Sequence, residues 1–266
     1  MRKHMLYNRI CFTCFACNFR SSHQFLNRYQ TVTESNTSDI PRIGRESLVL
    51  ERLPLDGARV IDIGCGEGWL THLVAPKSVT AVGIDPSTIA LERARASNGV
   101  SNGVFIQASA DDLPFDAASA DVAIYYNSLH HVPEAIRDKA LAEAARVLSP
   151  GGLLCIVEPE ASGSCYELFQ PIDDESAVYA ATYSLLLTIA NGVEFQQVHE
   201  ERFMDGFIYR DFRQFLDNAL LVDAQRAELV SELEGELREL FERLGEVVEG
   251  GRRYDIVHRL NLLRRL

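Results

Sequence analysis

The stretch "VIDIGCGEGW" at residues 60–69 narrows the fold more than any other part of the chain. A short apolar run rises into Gly64, Gly66 and Gly68, as a buried strand does when it turns into a ligand-holding helix. A dinucleotide site of the oxidoreductase kind spaces its glycines G-x-G-x-x-G, the last one allowing helix and strand to pack closely. Here Trp69, the bulkiest residue available, stands at that last position. Asp62 and Glu67 would also bring carboxylates toward a diphosphate, which like-charge repulsion disfavours. A ligand with a cationic amino-acid end suits the loop better, because glycines admit it closely and a carboxylate can accept from its ammonium group.

The second half of the pattern is Asp85, 21 residues after Gly64 at the end of "VTAVGID". An acid there is placed to accept from both hydroxyls of a ribose. Alone it fits NAD or another adenosine ligand, or simply caps the helix that follows Pro86. The glycines, likewise, can be no more than a tight turn. Taken with Asp62 and the G-x-G-x-G spacing, Asp85 points to S-adenosylmethionine.

The pattern around this loop alternates. Short Val- and Ile-rich runs at 59–64, 79–85, 103–108, 120–127 and 153–159 read as strands. Helical stretches at 67–75, 86–97 and 133–148 separate most of them. The alternation predicts a parallel α/β sheet covered on both faces, with its ligand site beyond the carboxyl ends of the strands. Further on, 164–191 reads as mainly helical, 193–204 as a strand, 209–248 as helical and 252–263 as a closing strand. The expectation is a Rossmann-like, doubly wound, mostly parallel sheet of seven strands with a helical lid insertion. Residues 1–38 are expected to be a flexible leader and 39–266 the domain, with a cofactor-binding core at 55–160 and a partly helical lid at 161–250. The Glu and Arg content of 223–248 reads as a solvated helix face.

Charge restricts the partners. The chain of 266 residues carries a net −12, and residues 1–33 hold five basic residues with no acid, leaving −17 on the rest. A body this acidic repels phosphate backbones and anionic lipid surfaces. The only short basic patches in it are Arg252–Arg253 and Arg264–Arg265. The expected acceptor is a small neutral or cationic molecule, with no nucleic acid partner and no membrane span, since no apolar run approaches the ~18 residues a span needs. Cys65, Cys155 and Cys165 read as packed free thiols. Cys11, Cys14 and Cys17 have no evident fourth ligand, and the expectation is no bound metal. The cytoplasm is the default location, with organellar import the alternative that the acid-free leader leaves open.

"VIDIGCGEG", "VGIDPS", "SADDLPF", "DVAIYYNSLHHV" and "RVLSPGGLLCIVEP" occur in the order and spacing of the class I S-adenosylmethionine-dependent methyltransferases. The chain resembles most their small-molecule branch, which includes quinone-biosynthesis enzymes. The resemblance is specific over roughly 55–160 and faint to the final strand. It implies that Gly64, Gly66 and Gly68 line the methionine and ribose portion of the donor, that Asp62 lies near its amino end, and that Asp85 holds the ribose hydroxyls. It further implies that Ala110 and Asp111 border the adenine and that Asn127 lies beside the methionine moiety. Ser109 stands where relatives often carry Asp, which shifts any contact to the adenine amino group toward Asp111.

Methyl transfer from a sulfonium needs alignment, exclusion of water and sometimes removal of a proton. His130 and His131, in "SLHHVPE" after the fourth strand, are candidates for proton removal or acceptor orientation, with a scaffold role as the alternative. Glu158 could orient a substrate or cap the segment after it, and one of Tyr125 and Tyr126 could face the cofactor. "NSLH" stands where nucleic-acid adenine methyltransferases carry an "NPPY"-like turn, which argues against an adenine acceptor in DNA or RNA. The expected reaction is methylation of O, C or N on a small organic molecule. The alternatives are a catalytically silent cofactor-binding or interaction protein and an NAD-dependent oxidoreductase.

Overall fold

The computed structural model describes residues 39–97, 103–190, 192–222 and 226–266. The predicted leader, with Cys11, Cys14 and Cys17, lies outside the described residues. The strands form where Val and Ile recur in short apolar runs: β1 (Arg59–Ile63), β2 (Thr80–Asp85), β3 (Gly103–Gln107), β4 (Ala120–Tyr126) and β5 (Leu148–Pro159). All four pairings among them are parallel. The sheet order is β3-β2-β1-β4-β5-β8-β6, where β6 is Phe195–Tyr209 and β8 is Gly251–Arg265. The last strand enters antiparallel between β5 and β6.

Strand order reverses between β1 and β4. A parallel sheet offers its crevice at such a point, where two successive connections leave in opposite directions. The glycine loop after β1 and the Asn127 loop after β4 both end there.

Helices cover both faces. On one side, α1 (Arg45–Arg52) and α2 (Trp69–Val74) send Leu48, Val49, Leu70 and Val74 into a layer with Val60, Ile124, Phe203 and Leu260. On the other, α4 (Glu134–Val147) turns Ala140, Leu141, Ala144 and Ala145 onto Ile61, Ala123 and Leu154. Three alanines on one helical face let α4 approach the strands closely, and its period-3.6 spacing is what buries them together. Between β2 and β3, α3 (Thr88–Ala96) starts at Ser87, whose side-chain oxygen accepts from the Ala90 amide.

The segment after β5 is more articulated than its sequence suggests. It holds α5 (Ser164–Phe169), α6 (Ser176–Ala190), α7 (Phe212–Val222), α8 (Ala227–Glu232) and α9 (Glu234–Leu244). The long helical pattern predicted through residue 248 stops at Leu244 and is broken at Leu233 between α8 and α9. Glu246–Val248 is instead a short strand, β7, paired with β8 and lying off the main sheet path. The sheet therefore has the seven strands expected in its path and this eighth beside them. Leu186 of α6 joins the core layer on the α4 side, whereas α5, α7, α8 and α9 gather around Phe215, Phe241 and Tyr254 as a separate cluster. The Tyr254 hydroxyl, in that apolar setting, donates to the Phe241 carbonyl at 2.6 Å.

Candidate active site

Each glycine of the first loop has a positive φ: 76° at Gly64, 53° at Gly66 and 81° at Gly68. Only glycine takes this backbone without strain, so the turn is written into the residue type. The loop is closed against β2, with the Gly64 and Cys65 amides both donating to the Ile84 carbonyl at 2.7 and 2.9 Å. A side chain at Gly64 would meet the Ser128 Cβ at 2.5 Å, and one at Gly68 would meet the Phe105 ring at 2.6 Å. At Gly66 it would meet nothing within 4 Å. Gly64 and Gly68 thus serve internal packing, and Gly66 is the glycine that faces open space. Gly68 supplies the close helix–sheet packing that Trp69 was expected to obstruct. Trp69 turns to the other side, edge-on to Tyr126 at 5.1 Å and beneath the Arg45 guanidinium at 4.5 Å.

Asp85 ties loop and strand end together. One carboxylate oxygen accepts from the Gly66 amide at 2.9 Å and the other from the Ser87 amide at 2.8 Å. Both oxygens retain lone pairs, and the residue is half-buried at the crevice. Asp62 lies behind the loop. It is 2% exposed and accepts from the Thr71 hydroxyl at 2.7 Å. Burial, reinforced by the charge of Asp85, raises its pKa from 3.8 to about 7. Glu67 is turned outward into an ion pair with Arg93 at 2.8 Å, so its charge does not bear on the crevice as the sequence suggested.

The rim after β3 is also internally satisfied. The Ser109 hydroxyl donates to Asp111, whose other oxygen pairs with Lys139 at 3.1 Å. These two partners hold the Asp111 carboxyl below the usual range. Ala110 sits half-buried between them.

After β4, Asn127 adopts a left-handed backbone with φ 51°, and its amide donates to the Val157 carbonyl at 2.8 Å. Its side-chain nitrogen meets the His258 Nε2 at 3.2 Å. Asn127 Oδ1, Tyr126 Oη and His258 Nδ1 are buried with no hydrogen-bond partner among the described residues. Burying such atoms unpaired costs roughly 1–3 kcal/mol each. Tyr125 is the core residue of the tyrosine pair, donating to the Ala140 carbonyl at 3.3 Å. Burial pushes the Tyr126 phenol pKa up, so that hydroxyl stays protonated.

His130 and His131 come next, their rings 3.8 Å apart. His130 is 6% exposed, and its Nδ1 donates to Glu158, which is 5% exposed and also accepts from the Leu129 amide at 2.9 Å. Burial opposes charge on His130, but the Glu158 carboxylate outweighs it and the imidazole pKa is raised. The solvent edge of His131 is exposed; the protein packed around the rest of its ring and the neighbouring His130 and Arg137 charges lower its pKa. Arg137, buried, donates to the His130 and Val132 carbonyls at 2.9–3.1 Å and fixes the loop. Tyr179 of α6 stands edge-on to His130 at 5.1 Å and donates to Glu175 at 2.5 Å.

The structure therefore brings the glycine loop, Asp85, Asn127 and the histidine pair to one end of the sheet. Glu175, Tyr179 and His258 join them without any sequence signal, because they come from elements whose approach only the tertiary fold sets. Residues 60–152 match a family described as a methyltransferase domain. Over that stretch the chain is similar to methyltransferases.

Among curated relatives, an uncharacterised methyltransferase of Synechocystis sp. is 32% identical over 139 residues, 52% of this chain and 65% of its own length. A ubiquinone/menaquinone biosynthesis C-methyltransferase of Rhizobium etli is 30% identical over 145 residues, 51% of this chain and 55% of its own. The chain thus spans less than two thirds of the length of these relatives. The YcgJ protein of Bacillus subtilis shares the fold, with a TM-score of 0.57 at 19% identity over 83% of this chain and 97% of that one. So does the cyclase SpnF, with a TM-score of 0.52 at 20% identity over 82% and 79%. The matched stretch ends within β5, so Glu158, Glu175 and His258 lie outside it.

Proposed function

We propose that the protein transfers a methyl group from S-adenosylmethionine to an oxygen, carbon or nitrogen of a small organic molecule. The observation that carries this reading is the Gly66–Asp85 arrangement: an open glycine and a half-buried carboxylate, hydrogen-bonded to each other at the point where strand order reverses. The residues present fit the donor. Open space at Gly66 admits its methionine and ribose portion, and Asp85 keeps lone pairs for ribose hydroxyls. Asn127 offers an unsatisfied oxygen toward the methionine end. Ser109, Ala110 and Asp111 border the adenine as a preformed rim. Asp62 acts from behind, holding the loop to α2 through Thr71.

When bound, the donor supplies an activated methyl group on a sulfonium. The chain's part is to align the acceptor in line with it and keep water out. His130 and His131 face the acceptor side. Glu158 fixes the His130 ring, leaving Nε2 for whatever occupies that side. The acidic body favours a neutral or cationic acceptor over a nucleic acid. Of the two arginine pairs, the first is engaged with acids, Arg252 with Glu242 and Arg253 with Asp255 at 2.7 Å.

Calorimetric titration with S-adenosylmethionine, S-adenosylhomocysteine and NADH tests this. Binding of the two sulfur ligands and not of NADH is the expected result, followed by methylated product with some member of a broad acceptor panel. Nicotinamide binding alone would overturn the reading. Donor binding with no product across the panel would leave a silent cofactor-binding protein.

A further inference from the structure

We propose that His130, His131 and Glu175 form a divalent-cation site on the acceptor side of the glycine loop. One donor atom from each residue lies within 4.8 Å of the other two. Two imidazoles and one carboxylate suit borderline cations such as Zn²⁺ or Co²⁺, and three protein ligands leave positions open for a further oxygen.

The surroundings are those of an oriented site. The Glu158 carboxylate accepts from His130 Nδ1, which commits that nitrogen and leaves Nε2 as the ligand atom. A carboxylate–histidine–metal relay of this kind fixes the ring tautomer in metal sites generally. Glu158 is itself held by the Leu129 amide, and Arg137 clamps the loop carbonyls on either side of His131. The third ligand is likewise positioned, since the Tyr179 hydroxyl holds one oxygen of Glu175 and leaves the other available. Three elements that are far apart in sequence, the loop after β4, the end of β5 and the start of α6, meet to make this frame. A mere charge cluster does not require it.

The burial gradient indicates what the cation would do. His130 is buried, Glu175 is half-buried and His131 is exposed, so the site opens toward the side from which an acceptor enters. A cation there would bind a hydroxyl-bearing acceptor, a phenol or vicinal diol, and lower the pKa of the coordinated O–H, whose proton leaves to solvent. The cation site itself stands on geometry alone; its role as acceptor anchor rests on the methyltransferase reading above.

The test uses the full chain stripped with chelator and dialysed. Titration with Co²⁺, read by visible absorption, and with Zn²⁺, read by calorimetry, should show one equivalent bound. His131→Ala and Glu175→Gln should each weaken that binding at least tenfold, while melting temperature and S-adenosylhomocysteine affinity stay as in the parent. Neither residue is fully buried, so the variants should fold. No bound equivalent in the parent, or binding that neither variant weakens, overturns the site. Metal binding without S-adenosylhomocysteine binding would instead sink the methyltransferase reading and leave the cation site standing.

Discussion

Gly66 and Gly68 share a left-handed backbone but differ in what a methyl group would meet. At Gly68 the added carbon lies 2.6 Å from the Phe105 ring and 2.9 Å from Ala94, at Gly66 in open space. Gly68→Ala should therefore lower stability by about 1–2 kcal/mol for the left-handed backbone, and overpacking should add about 1–3 kcal/mol. Gly66→Ala should show only the first of these costs in urea unfolding, yet lose S-adenosylhomocysteine affinity at least tenfold. Equal binding by Gly66→Ala and the parent would mean the open space is not the ligand's. Asp85→Ala should cost about 1.5–3 kcal/mol of donor binding. Because Asp85 also holds two backbone amides, the contact is isolated with a 2′-deoxy ligand, which should bind the parent more weakly than the ribose form while the variant does not distinguish the two. Of these residues the sequence made Asp85, the glycines and the histidine pair legible, since strand-end positions follow from spacing. It misdirected on Glu67, whose side chain reaches Arg93, and it carried no sign of Glu175, which lies 44 residues beyond His131.

Thr71 and Asp62 join α2 to β1, so the titration of Asp62 is a property of how those two elements pack. Its folded pKa, about 7, stands above the ordinary 3.8. The folded chain keeps a proton that the unfolded chain has released, so stability falls as pH rises from about 4 to 7, with the full penalty in place above that. Asp62→Asn keeps an acceptor for the Thr71 hydroxyl and has no proton to lose. The difference in urea midpoint between variant and parent should move in the variant's favour from about pH 5 to pH 8. A difference that does not change with pH would show that Asp62 does not titrate in this window. The separate cluster of α5, α7, α8 and α9 gives another element-scale expectation. Phe215 is fully buried there, and Phe215→Ala should cost about 3–5 kcal/mol. Donor binding at low temperature should survive, because Asp85 and the glycine loop pack in other layers. Helix boundaries in this region were hard to read because one amphipathic pattern runs through 227–244. The break at Leu233, which packs against the cluster that holds Phe241, and the short strand at 246–248, joined to β8 across the turn at Gly250, come with no change in hydrophobic period.

At the scale of the molecule, the alternating strands and helices made the parallel half of the sheet legible, and the closing strand was visible as "HRLNLL". Its full reach was not, since β8 pairs with β6 from Arg252 to Arg265 and the half-exposed residues of that ladder have no regular alternation. The fold narrows the chemistry less than the site does, because a cyclase shares it. Charge adds information that topology lacks. The chain carries −12, with 38 acids against 26 basic residues, and a net charge of that sign attracts cations over distance. The sulfonium donor has one net positive charge at neutral pH, and S-adenosylhomocysteine has none. If the field guides the donor to the Gly66–Asp85 crevice, association of the donor should slow as salt rises from about 20 to 200 mM, where the Debye length shrinks to roughly 7–8 Å. Association of the neutral product should change much less over the same range, and dissociation of either ligand should change little, because contacts inside the crevice are poorly screened. Stopped-flow fluorescence of Trp69, the chain's only tryptophan, can follow both ligands. Equal salt dependence for donor and product would show that the net charge does not steer ligand entry, and would leave the preference for neutral or cationic acceptors resting on local contacts alone.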